Sequence, residues 1–392
     1  MRKKKKKLNK VRLIFAIVVL IGLILIVKGI MGFVLSNKEP KDISLLLDNE
    51  LVKVKNEIIK EKDTIYLSKD DIENLFDSSI YYNAAEKELI TTFNKHIALL
   101  KIDERFMVVN DSNAELSNPM IEKNGKVYLP FSEMGIVYDL EFEYSESTKK
   151  LIADSTNKAK SQALTLKKYN MKNNPSIFSS TVEKVEHGEY VSIVEDTNKK
   201  YFKVRTAKGN IGYIKKKRLS EPEKLRDDWN EEKQEYAVIK EASDISKKYS
   251  EAKLESEKQN VVIPMFFNVE KGGEILDKTG SGSAEYTAYT EWAKEHNVQI
   301  WASLENNIDV SKLLMTYTDR NKVINELYKK LVEHQFSGVN INFKKIDDVN
   351  SFNRFIIELT PRLKELGIKV AVTKNEYIDS AKLEKVVHLV IE

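Results

Sequence analysis

At 392 residues, the chain has room for two or three domains, each large enough for a core. Charged residues make up 32% and are spread along it, which excludes a disordered polyelectrolyte, and the lack of cysteine excludes disulfides, thiolate zinc sites and a cysteine nucleophile. The formal net charge of +4 is uneven: residues 1–36 hold nine of the 64 basic residues and no acid, so the remainder, with 55 basic and 60 acidic residues, carries −5. That body has no overall charge for gripping nucleic acid.

The N-terminus comes first. "MRKKKKKLNKVR" precedes "LIFAIVVLIGLILIV", an uncharged apolar run from Leu13 to Val27. Lys28 interrupts, and "GIMGFVL" continues to Leu35. With Lys28 snorkelling to the interface, residues 13–35 are long enough to span a bilayer. The expectation is a basic cytoplasmic tail over 1–12 and a single-pass signal anchor over 13–35. By the positive-inside rule, everything after the anchor lies outside the cell. A cleaved signal peptide has the same basic start and apolar centre, but no small-x-small cleavage site stands out after Val27.

An internal near-repeat follows a short linker. "DTIYLSKDDIENLFDSSIYYNAAEKELITTF" (63–93) has a partner in "GKVYLPFSEMGIVYDLEFEYSESTKKLIAD" (125–154). Each half reads as strand, short helix, strand, polar turn, strand, and "HIALLKIDERFMVVND" adds alternating strands between them. On this pattern and "VYLPFSEM", residues 44–155 resemble the copper amine oxidase N-terminal-like domain, an α+β repeat that serves as a stalk or touches the cell wall. The resemblance implies no metal site: His96 is the only histidine in the region, and a copper site normally takes several nitrogen ligands.

Residues 160–220 read as short strands, with a tight hairpin at Lys208 to Tyr213. "NNPSIFSSTVEKVEHGEYVSIVEDTNKKYFKVRTAKGNIGYI" resembles a bacterial SH3-type domain, a small all-β barrel that commonly contacts wall polymers. Residues 221–234, "EPEKLRDDWNEEKQ", read as a charged linker.

From residue 235 the rhythm becomes alternating strand and helix. Strands are predicted over 235–240, 261–268, 298–304, 337–343, 368–373 and 386–391. Helices are predicted over 242–256, 284–296, 319–334 and 352–366. This alternation argues a parallel sheet with crossovers. Ser283 reads as a helix N-cap and Pro361 as a bend.

One strand stands out. In "FSGVNINFKKI" (336–346), Asn340, Asn342 and Lys344 fall at i, i+2 and i+4, on one face. With "NVVIPMFFNV" and "EYTAYTEWAKEHNVQIWASLENN", this strand makes residues 235–392 resemble glycoside hydrolase family 18, most closely its spore and cell-wall branch. The resemblance implies a (β/α)8-type barrel, of which the sixth strand is the last, so the barrel is incomplete at its C-terminus. The family signature is D-G-x-[D/N]-x-D-x-E. Its final Glu protonates the leaving oxygen, its last Asp orients the substrate's 2-acetamido group, and that group attacks the anomeric carbon.

Laid on this chain, the first Asp falls on Ser337, the Gly on Gly338, the middle position on Asn340, the orienting Asp on Asn342 and the acid on Lys344. Only Gly338 and Asn340 fit the pattern. A lysine ammonium is a poor proton donor to an acetal oxygen, and Asn342 supplies no charge. Catalysis through this strand is therefore expected to be impaired or absent. Glu305 and Asp277 are other carboxylates from which a site could be assembled. Phe266, Phe267 and Trp301 are candidate sugar-stacking residues, or barrel core. No metal or cofactor is expected: there is no phosphate-binding loop, no H-E-x-x-H and no G-x-S-x-G. Two readings stay open. One is a glycan-binding wall protein with a degenerate family 18 site, on peptidoglycan or a chitin-like polymer. The other is a working hydrolase of polymers containing N-acetylglucosamine.

Overall fold

The computed structural model describes residues 40–229, 235–240, 260–375, 378 and 383–391. The expected anchor over 13–35 and the predicted helix over 242–256 lie outside these residues. Among the described residues no helix is long and apolar enough to cross a membrane. The chain divides into two compact units. One comprises the described residues up to Lys53, 143–152 and 161–223; the other comprises 54–142, 153–160 and the described residues from Lys224 on.

In the first unit, Ser44–Leu47 and Glu50–Val52 form an antiparallel hairpin. The strands from Tyr169–Lys172 to Ile211–Lys215 lie in a seven-stranded sheet whose core is Ala163, Met171, Val185, Val191, Val204, Ile214 and Leu219. The hairpin predicted at Lys208 joins Tyr201–Thr206 to Ile211–Lys215, and Gly209 takes the left-handed conformation (φ +70°) that the turn requires. The charged segment expected to be a linker contains a strand of this sheet, Glu223–Arg226. Arg226 explains why it is ordered: its guanidinium donates to Glu141 and to the carbonyls of Ser155 and Lys158 at 2.8–2.9 Å.

The second unit holds most of the repeat. Thr64–Ser68 and Lys126–Leu129, the equivalent strands of the two halves, pair antiparallel at the centre of a four-stranded sheet. Each has its own outer hairpin partner, Ile59–Glu61 and Ile121–Lys123. The same chain pattern thus meets itself about a pseudo-twofold. Glu88–Phe93 and His96–Lys101 belong to a five-stranded antiparallel meander. His96 is half-buried at the start of its central strand and lies 3.3 Å from Asp139.

The remainder of this unit is the α/β part, with strands β1 (Val238–Lys240), β2 (Val261–Ile263), β3 (Phe267–Val269), β4 (Ile275–Asp277), β5 (Gln299–Asn306), β6 (Gly338–Asn342), β7 (Lys369–Thr373) and β8 (Leu389–Ile391). Its helices are α1 (Ala284–Glu295), α2 (Ser311–Leu314), α3 (Tyr317–Glu333) and α4 (Val349–Glu365). The sheet order is β1-β2-β5-β6-β7-β8, all parallel. Among the described residues it stays open, with β1 and β8 at its edges. The strand predicted over 261–268 is broken after Ile263, because Pro264 has no N–H to give a ladder. Beyond the break, β3 rejoins β5 and turns back through β4 as an antiparallel hairpin.

One face of the sheet packs on the helices through Ala302, Leu304, Val339, Ile341, Val370 and Val372. The other carries Trp301, Val261, Ile263, Ala371 and Ile391. Ser283 caps α1 by accepting from the Tyr286 N–H at 3.1 Å, as expected. Helix α4 is buried around its whole circumference from Ser351 to Leu363, with Pro361 inside it. A helix so covered needs partners on two sides. The sheet supplies one. The meander supplies the other, where Asn110 donates to Glu365 at 2.9 Å, Arg362 to Asp111, and Arg354 to the Ser79 carbonyl. Arg354 also lies over the Tyr81 ring, 5.0 Å from its centroid.

Candidate functional site

Parallel pairing fixes which residues meet at the C-terminal ends of the strands. Ser303 is paired with Asn340 and Glu305 with Asn342, while Asn268 on β3 is paired with Glu305 from the other side. Residues paired in register point to the same face. Asn268, Glu305 and Asn342 therefore form a row across three strands, on the face opposite the helices. Behind it lies a second row of Ser303 and Asn340, and behind that Trp301 beside Gly338. Gly338 is a packing requirement: a Cβ there would sit 2.5 Å from the Trp301 ring.

Glu305 is the centre of the row and is only 6% exposed. Ser303 Oγ donates to its Oε1 at 2.6 Å, and Asn342 Nδ2 donates to both oxygens at 2.9 and 3.0 Å. The Lys344 ammonium stands 4.0 Å from Oε2, with 68% of its side chain in solvent. Asn306 holds that lysine's backbone: its Oδ1 accepts from the Lys344 N–H at 2.7 Å and its Nδ2 donates to the Lys345 carbonyl at 2.8 Å. Asn340 and Thr373 are hydrogen-bonded at 2.9 Å, and Asn340 Nδ2 reaches Ser303 Oγ at 3.3 Å. Asn268 is 2% exposed and donates to Glu270 at 3.1 Å, but its Oδ1 has no partner. That oxygen is closed to solvent, and an unpaired buried acceptor of this kind is a group that an ordered water satisfies.

Asn340, Asn342 and Lys344 thus come together with Glu305. Ser337 does not join them: it precedes β6, far from the row, and its Oγ reaches the Ile300 carbonyl at 3.4 Å. Phe266, Phe267 and Trp301 are fully buried, so none offers a face to a sugar. Phe266 stacks on Phe336 at 5.5 Å, Phe267 tilts against it at 6.0 Å, and Trp301 meets Tyr236 edge-on at 4.8 Å. They are core, and their apolar area decides that. Ser303, Asn306, Thr373 and Asn268 are members that the motif strand alone does not reveal. The alternation Trp301, Ser303, Glu305 in "WASLENN" is their one sequence signal.

Asp277 lies elsewhere. His334 Nε2 is 2.7 Å from its carboxylate and His334 Nδ1 is 2.9 Å from the Tyr286 hydroxyl, with the imidazole stacked on Phe336. Burial pushes Asp277 up, but the Thr279 hydroxyl and N–H and the His334 ring outweigh it and leave the carboxyl below its ordinary value. Asp277, Glu333 and His334 could together offer three ligand atoms to a cation. Lys330, 3.5 Å from Asp277, already supplies positive charge there.

Chemically, the row offers one carboxylate whose oxygens act as acceptors for Ser303 and Asn342, flanked by an amide and an ammonium. Glycoside hydrolysis needs an O–H aimed at the leaving oxygen and a second group to carry the positive charge that develops at the anomeric carbon. The second carboxylate at the row, Glu270, is engaged by the Asn268 amide, and the ammonium would oppose that charge.

Comparison with known proteins adds two facts. Residues 46–153 match the model of the copper amine oxidase N-terminal domain family. Solved structures resemble the chain over part of its length. They include a chitinase from Chromobacterium violaceum (20% identity, TM-score 0.29, 34% of this chain and 47% of that one). They also include the spore cortex-lytic enzyme SleL from Bacillus cereus (16%, 0.32, 43% and 42%) and from Bacillus megaterium (16%, 0.32, 40% and 40%). The chain spans less than half the length of these structures. No curated relative matches it.

Proposed function

We propose that this chain is a cell-wall protein that binds a glycan containing N-acetylglucosamine at the Asn268–Glu305–Asn342 row and does not cleave it. The observation that carries the reading is the row itself: a carboxylate held as an acceptor by Ser303 and Asn342, with the solvent-exposed Lys344 ammonium beside it. A 2-acetamido sugar offers an N–H donor and several hydroxyls, which suit that acceptor. Asn340, Asn342 and Lys344 take the places of a family 18 signature in outline, with its two working carboxylates replaced. The strands over 160–220 are read as an SH3-type wall-contact module, and residues 13–35 as the anchor that holds the protein at the membrane with its domains outside. The basic tail and the apolar run support that placement.

Isothermal titration with chitohexaose tests the binding. The parent chain should bind, and Asn268→Ala and Asn342→Ala should each weaken binding about tenfold, the equivalent of one hydrogen bond at ~1.4 kcal/mol. Unchanged affinity in both variants would overturn the assignment of the site.

A further inference from the structure

We infer that the junction between the repeat meander and helix α4 is a second ligand site, one that takes a sugar bearing a carboxylate. The junction lines an open cavity of about 580 Å³, within the several-hundred-Å³ range of small-molecule sites. It lies against the outer face of α4, away from the strand-end row. Its apolar wall is Phe76 and Phe93, two half-buried rings 6.4 Å apart and edge-on, with Pro361 of α4 beside them. Rings that keep part of their surface open at the wall of a cavity suit the C–H face of a pyranose. Thr92 and Asn94 add hydroxyl and amide groups on the same side.

Charge narrows the ligand. Lys385 stands exposed on the rim, with the half-buried Lys364 beside it. The one acid in the lining, Asp77, is turned away from a ligand: its oxygens accept from Ser79 N–H at 2.8 Å, Thr91 Oγ1 at 2.8 Å and Thr92 N–H at 2.6 Å. The accessible charge is therefore cationic, and it faces an aromatic wall. An anionic sugar satisfies both features; a neutral one satisfies only the wall. The cavity is also preformed, because the Arg354 and Arg362 contacts to Ser79 and Asp111 fix its two sides together. A preformed site spends little binding free energy on ordering itself.

The choice of a sugar rests on the glycan reading above, so the test separates the two. The full chain is titrated calorimetrically with the disaccharide of N-acetylglucosamine and N-acetylmuramic acid, and with the same disaccharide after reduction of its carboxylate. Binding of the first is expected to persist in the Asn342→Ala background, which removes the row's contribution, and in that background to fall at least tenfold on reduction, in Lys385→Glu and in Phe93→Ala. Lys385→Glu is a surface change and keeps the test valid should Phe93→Ala unfold. Binding that is lost in Asn342→Ala and unaltered in Lys385→Glu would overturn this site and leave the glycan reading standing. No binding of the acidic disaccharide would also overturn it, and the chitohexaose titration then judges the other reading separately.

Discussion

Asn342 donates its amide to both oxygens of a nearly buried carboxylate, whereas Lys344 approaches the same carboxylate from solvent. The two side chains should therefore differ in weight. Losing Lys344 removes an exposed ion pair, worth about 0–1 kcal/mol. Losing Asn342 strands a buried acceptor, at about 1–3 kcal/mol. Urea unfolding of Lys344→Ala and Asn342→Ala should show that order, and equal losses would refute it. Asp277 gives a pH test. Its folded carboxyl lies below the ordinary 3.8, so the stability it contributes is complete above that value and is lost as the pH falls through the lower folded one. Unfolding free energy should drop below about pH 4, and Asp277→Asn should remove part of that drop. An identical drop in the variant would exclude this source. At this scale the sequence showed that Asn340, Asn342 and Lys344 share a face, since alternation is a local property. It did not show Glu305 as their partner, because strand register joins residues 37 positions apart.

Helix α4 was readable as a helix but not as one packed on two sides. Its apolar residues gather on one side, the opposite side carries Arg354, Glu358 and Arg362, and only the structure identifies the meander as the partner that buries that charged side. The buried acid in it, Glu358, is 0% exposed and accepts from Arg320 at 2.7 and 2.9 Å and from Arg354 at 3.1 and 3.3 Å. Glu358→Gln leaves two buried guanidinium groups without their anion and should cost about 3–5 kcal/mol. A loss under 1 kcal/mol in denaturant unfolding would mean that solvent reaches the cluster. Gly338→Ala tests the strand layer. The new methyl meets the Trp301 ring, and overpacking of this kind costs about 1–3 kcal/mol. An unchanged midpoint would mean that Trp301 has room to move. The break at Pro264 was legible in principle, since a proline cannot donate to a ladder. The β4 hairpin and short α2 were not, because neither has a periodic run long enough to stand out.

Across the whole molecule, composition and rhythm separated the all-β segment from the α/β part, and the internal repeat marked the region that the family model also matches. The packing of that repeat on α4 joins residues about 250 positions apart, which no local pattern encodes. The same packing lines the second cavity and covers the charged side of the helix. Binding without cleavage by this assembly is the central claim, and Glu305 is its most exacting point, being the carboxylate at the centre of the row. The direct measurement is release of reducing ends from chitohexaose and from purified peptidoglycan glycan strands, by the parent chain and by Glu305→Gln. The expected result is no release above the buffer rate for either protein, with chitohexaose bound by the parent. Clear release by the parent chain that disappears in Glu305→Gln would contradict it, and would make Glu305 the acid of a working hydrolase.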